Sequence, residues 1–114
     1  METNLLEWLD DWYKSTCDGD REHYYGIKIE TLDNPGWDVT INFEYTNVEL
    51  TDLKWHLIKF DSNSWVGFNI ENSVFNCSSI PNNLALPIFI FKTLVEKGEI
   101  SDEEILMFHN DSSN

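Results

Sequence analysis

Apolar residues return every three or four positions at the start of the chain. Leu5, Trp8, Leu9 and Trp12 share one side of residues 4–16, and Glu7, Asp10, Asp11 and Lys14 occupy the other. The spacing predicts an amphipathic helix of about three turns, with Thr3 or Asn4 able to cap it and Glu7 near the positive end of its dipole. The polar run Cys17-Asp18-Gly19-Asp20-Arg21-Glu22 ends that helix in a loop.

Beyond residue 25 the period changes to two. Ile27, Ile29 and Thr31 alternate with Lys28, Glu30 and Leu32, and Trp37, Val39, Ile41 and Phe43 alternate with Asp38, Thr40 and Asn42. Between them lies Asp33-Asn34-Pro35-Gly36, with Pro and Gly where a type II turn needs a fixed φ and then a positive one. The expected product is a hairpin of strands near 26–32 and 37–44. Further strands are predicted at 53–60, where Leu53, Trp55 and Leu57 alternate with Lys54 and His56, at 64–71, and more weakly at 73–78. Polar loops at 45–52 and 61–63 suit antiparallel neighbours. Phase assigns Trp8, Trp12, Trp37 and Trp55 to the core. Trp65 is out of phase with Val66, Phe68 and Ile70, so it is expected to face a partner or a second helix.

From residue 82 the helical pattern returns. Asn82-Asn83 precede an apolar run from Leu84 to Val95, and Lys97-Gly98 form a stop. Pro87 places the regular start near residue 87. The run is apolar almost all round, so this helix should be buried against something besides the sheet. Ser101-Asp102-Glu103-Glu104 spells a capping box ahead of a short last helix, followed by a polar tail expected to fray at 110–114. The fold class is therefore α+β, one domain over 1–114. An antiparallel sheet of about five strands carries an N-terminal helix, a buried C-terminal helix and a short last helix on one face.

Charge narrows the partner. The 114 residues hold 21 acidic against 7 basic side chains, for a net charge of −14 and a pI of about 4.2. With 41% hydrophobic residues this is a folded domain rather than an acidic tail. Long-range repulsion disfavours nucleic acid and anionic membranes and favours a basic partner. Residues 1–33 concentrate nine acids against three bases, a net −6. Charge alone fits a recognition surface and a merely solvated face equally well. No segment approaches the ~20 apolar residues of a membrane span, and Met1–Asn4 lacks the basic start of a signal peptide. Cys17 and Cys77 read as reduced thiols in a cytoplasmic protein, although a single bridge between them stays open.

Catalytic chemistry finds little support. Cys17, Asp18, Asp20, Glu22 and His23 are potential metal ligands, but their spacing matches neither a calcium loop nor a zinc site, so no metal and no cofactor is expected. Asp10 and Asp11 diverge by about 100° on a helix and cannot work as a dyad. His23, His56 and His109 lie in no nucleophile motif, and the five glycines are isolated, so no loop cradles a phosphate.

One stretch carries a resemblance. Leu6-Glu7-Trp8-Leu9, Asp11-Trp12-Tyr13, Cys17-Asp18-Gly19-Asp20, Glu22-His23 and Tyr25-Gly26-Ile27-Lys28-Ile29 run into Thr31-Leu32-Asp33-Asn34-Pro35-Gly36-Trp37. In this order and spacing they resemble the bacterial immunity protein 53 family, small proteins associated with polymorphic toxin systems. The likeness spans residues 5–43, with a looser pattern of Trp-bearing strands and Asn83-Leu84 beyond. Arg21 departs from it, because the family pattern has an aromatic residue before the Glu-His pair. The resemblance implies a non-enzymatic protein that inhibits a cognate toxin domain by direct binding, and nuclease toxins tend to be basic. The expected toxin-facing residues are Asp10, Asp11, Asp18, Asp20 and Glu22, with Trp65 as an outward aromatic contact. The rival classes are a small-ligand-binding or regulatory module with an aromatic pocket around Trp65, and a metal-dependent enzyme built on residues 17–23.

Overall fold

The computed structural model describes residues 4–21, 25–33, 35–81 and 83–112. Helix α1 (Leu5–Thr16) begins where Asn4 accepts the Glu7 N–H on its side-chain oxygen at 3.0 Å, so Asn4 is the cap. Strands β1 (Ile27–Thr31) and β2 (Trp37–Asn42) pair as the expected hairpin. The Leu32 N–H donates to the Gly36 carbonyl at 3.1 Å and closes the connection. The predicted turn type rests partly on Asn34, which lies outside the described residues.

Strands β3 (Leu53–Asp61), β4 (Ser64–Glu71) and β5 (Val74–Ile80) form an antiparallel meander. Asn72 and Ser73 join β4 to β5 with φ of 53° and 64°, the backbone of a two-residue hairpin turn. Across the sheet the order is β1-β2-β5-β4-β3. The strand with the weakest pattern is therefore the central one. Its alternation is muted because Asn76 and Ser78 interleave with Phe75, Cys77 and the buried Ser79.

Register settles which face is apolar. Val39, Cys77 and Phe68 are cross-strand neighbours, as are Ile41, Phe75 and Ile70. All six are at most 3% exposed. On the other face Thr40, Asn76 and Asn69 form a polar ladder: the Thr40 hydroxyl donates to Asn76, whose amide donates to Asn69. Helix α2 (Ala85–Lys97) packs over β5, with α1 on one side and α3 (Asp102–Ser112) on the other. That explains the all-round apolarity of α2, because the sheet and both helices cover it. Pro87 sits in its first turn, two residues later than the helix start, where no intrahelical donor is lost. Gly98 ends α2 at φ 81°, and its N–H donates to the Leu94 carbonyl at 2.8 Å.

The capping box opens α3. The Glu104 N–H donates to the Ser101 hydroxyl at 3.1 Å, and the Ser101 N–H donates to the Glu104 carboxylate at 2.9 Å. These donors and the Lys97 ammonium hold the Glu104 carboxyl below its ordinary range, the Lys97 hydrogen bond most of all. α3 runs to Ser112, beyond the residue where fraying was expected, because Ile105 is fully buried and Phe108 stacks on Phe89 at 4.3 Å.

Candidate interaction surface

Packing turns the polar side of α1 outward. Leu9 is buried, and Trp8 and Trp12 pack on Phe91 with centroids 6.1 and 5.0 Å away. Asp10 and Asp11 are left exposed. Asp10 faces Lys14 at 3.3 Å, and both side chains are mostly in solvent, so the pair contributes little. Asp10 also borders a groove between α1 and β1 lined by Leu6, Tyr13, Tyr25 and Ile27. Leu6 is 65% exposed beside it.

The following loop is built by its own charges. One Asp18 oxygen accepts the Asp20 N–H at 2.9 Å and the Arg21 N–H at 2.7 Å. These bonds, led by that from Arg21, hold the Asp18 carboxyl below its ordinary value. Arg21 points inward and is only 5% exposed. It donates to the carbonyls of Glu44 and Asn42 at 2.8 and 2.7 Å and to the Thr16 hydroxyl at 3.3 Å, with Tyr25 stacked 5.2 Å away. Arg21 thus ties the loop to the end of β2, a role that no local spacing announces. Asp20 is exposed, whereas Glu22 and His23 lie outside the described residues. Tyr25 meets Tyr45 edge-on at 5.5 Å, and Tyr45, at φ 63°, is 76% exposed.

Trp65 lies elsewhere. It alternates with Val66, sits opposite Lys59 and Ile80 on the face away from the helices, and is half-buried. The exposed carboxylates of α1 belong to the helical side. The structure therefore does not bring Trp65 together with Asp10, Asp11, Asp18 and Asp20.

Trp55 is the clear departure from phase. It was expected in the core but is 49% exposed. An irregularity between Leu53 and His56 shifts the register, so that His56 and Ile58 pair with Phe68 and Val66 on the helical side. Leu57 is turned out, and the Trp55 indole lies on Gly67 of the neighbouring strand. Trp37 is half-buried at the start of β2; Trp8 and Trp12 pack against the core as expected. A Cβ on Gly67 would overlap the indole ring. Gly67→Ala is expected to displace Trp55 from the sheet at a cost of about 1 kcal/mol, because an exposed edge-strand ring can swing aside. A shift of the Trp55 indole N–H resonance with a lower urea midpoint would bear this out; an unchanged resonance would refute the contact.

His56 is half-buried, with its Nε2 2.8 Å from the Asp102 carboxylate and its ring edge-on to Phe68. Cys17 is exposed and Cys77 buried in the core face, and both are thiols. Among the described residues no three His, Cys, Asp or Glu side chains converge as a metal site, and no helix is long and apolar enough to cross a membrane.

The model of one family, immunity protein 53, matches residues 6–96, most of the chain. The chain belongs to the immunity protein 53 family. No curated protein and no solved structure matches it. Membership supports an immunity role, binding a cognate toxin protein, in a class that generally works without catalysis. In this immunity protein 53 member the motif residues largely build the scaffold. Trp8 and Trp12 clamp α2, Asp18 shapes the loop, and buried Gly36 closes the hairpin. Around the C-terminal end of α2 stand four carboxylates that local spacing did not single out: Glu49, Asp52, Glu99 and Asp102. They come from two distant segments, the loop before β3 and the turn from α2 into α3, so only the fold gathers them.

Proposed function

We propose that this protein neutralises a basic, nuclease-type toxin domain by docking it on the acidic face formed by α1 and its following loop. The observation that carries the reading is the exposure of Asp10, Asp11 and Asp20 on α1 and its following loop, with Asp10 bordering the groove of Leu6, Tyr13 and Tyr25. Tyrosines with exposed aliphatic groups supply contact area, and flanking carboxylates speed encounter with a positively charged partner. Asp18 adds its charge while holding the loop, and Glu22 joins the patch on sequence grounds. Trp65 faces the other way, so we assign the primary contact to the carboxylates. Binding in the cytoplasm suits the exposed Cys17 thiol.

The test begins with the neighbouring reading frame. Its encoded C-terminal toxin domain is expected to co-purify with this chain. Asp10→Lys with Asp11→Lys should slow association by roughly tenfold at low salt, with the difference shrinking as salt is raised. Trp65→Ala should leave affinity unchanged. Equal rates for the wild type and the lysine variant would remove the α1 patch from the interface.

A further inference from the structure

Two depressions flank the C-terminal end of α2 and meet along Leu50, Leu94 and Gly98. One, of about 530 Å³, opens between the end of α1 and the 45–50 loop. The other, of about 320 Å³, opens between β3, β4 and the 98–102 turn. Together they form a trough in which Trp12, Val48, Phe68 and Ile70 supply apolar surface, with Ser15, Thr16 and Asn47 among the polar groups of its larger half. Its walls carry five carboxylates: Asp18, Glu49, Asp52, Glu99 and Asp102. Among the described residues no lysine or arginine lines it. The nearby Lys97 ammonium is held by Glu104 at 2.6 Å, and the one imidazole in the trough, His56, is held by Asp102. The final carbonyls of α2 end at Gly98 and add the negative end of the helix dipole.

The geometry points to this trough as the seat of an extended basic segment of the toxin, with lysine or arginine side chains alternating with apolar ones. A long cationic side chain has the matching chemistry, because its methylene stem lies on apolar surface while its head reaches a carboxylate. A single metal ion does not match, since the carboxylates are strung along the walls and do not converge. An anionic ligand would meet charge of its own sign on every wall. The inference rests on the reading of the partner as a basic protein and adds where, and in what form, that partner docks.

The probe is a fluorescein-labelled octapeptide of alternating lysine and leucine, with its glutamate–leucine counterpart as control. Anisotropy titrations compare wild type with two variants that raise the net charge equally, Glu49→Lys with Glu99→Lys in the trough and Glu30→Lys with Asp33→Lys on the exposed β1 hairpin, at the opposite edge of the sheet from β3. We expect roughly tenfold weaker peptide binding for the trough variant and less than about twofold for the hairpin variant, because only the former touches the contact. Amide shifts should centre on Leu50, Gly98 and Ile100, and the acidic peptide should not bind. Equal weakening in both variants, or shifts centred on the outer sheet face, would overturn the proposal, since general electrostatics would then account for the binding. Competition separates the two levels. A toxin domain that displaces the peptide supports the trough. A toxin domain that binds without displacing it overturns the trough and leaves the immunity reading intact. Absence of any toxin binding defeats that reading and the trough with it.

Discussion

Phe91→Ala is expected to destabilise the fold by about 3–5 kcal/mol, the range for deleting a fully buried aromatic ring. Phe91 is 0% exposed and stands where every layer meets. Its ring lies 5.0 Å from Trp12, 6.1 Å from Trp8, 5.3 Å from Phe75 and 6.2 Å from Phe43. The cavity left by alanine would have walls from α1, α2, the sheet and the loop after β2, and no single side chain can swing in to fill it. Against a total stability of about 5–15 kcal/mol, such a loss is large. Urea unfolding followed by tryptophan fluorescence should show a lower midpoint with unchanged slope. Phe91→Leu should lose less than Phe91→Ala, because most of the volume remains. A cost below about 1 kcal/mol for the alanine variant would mean that this packing does not exist in solution.

Arg21→Ala should cost about 2–4 kcal/mol by another mechanism. Arg21 is a buried cation satisfied by two backbone carbonyls and a hydroxyl. Its removal leaves the Glu44 and Asn42 carbonyls without those donors where water has little access. Arg21→Lys should rescue less than half of the loss, because an ammonium lacks the planar fork that reaches both carbonyls. Amide exchange should rise first in residues 17–21 and 42–46, the two segments that Arg21 joins. Exchange confined to other regions, or full rescue by lysine, would contradict the tether. The same variant should weaken toxin capture beyond its effect on global stability, since Asp18 and Asp20 lose the loop that positions them.

These two positions show what can be recognised from residue order. Phe91 could be assigned to a core because it lies in an apolar run of helical length. Its contact with Trp8 and Trp12 could not, since the docking of α1 on α2 joins segments about eighty residues apart. Arg21 read as one charge in a polar loop, and its burial depends on the carbonyls at the end of β2. The weak strand at 73–78 became the central strand β5, because cross-strand partners on both sides stabilise a sequence whose own alternation is faint. Trp55 shows the reverse. Its alternation was regular, but a one-residue irregularity in β3 turned it to the outer face, and period-two patterning carries no information about such a shift.

The N-terminal segment raises the same division for function. Its order of residues, from Leu6 to Trp37, resembles the immunity protein 53 family, and the family model extends over residues 6–96. Yet several of those residues are occupied with packing and loop closure. Of the exposed carboxylates, Asp11, Asp18 and Asp20 lie within that order of residues, whereas Glu49, Asp52, Glu99 and Asp102 are scattered beyond it.

By itself, the residue order determined the elements, the α+β class, the family and the acidic character of the protein. Each of these depends on local periodicity, on turn and cap chemistry, or on composition, all of which a linear chain displays. Only the tertiary structure decided that β5 lies at the centre, that Trp55 lies outside, that Arg21 is buried, and which carboxylates share a trough. Those outcomes depend on strand register and on contacts between distant segments, where one residue of slip exchanges the inside of a sheet for its outside.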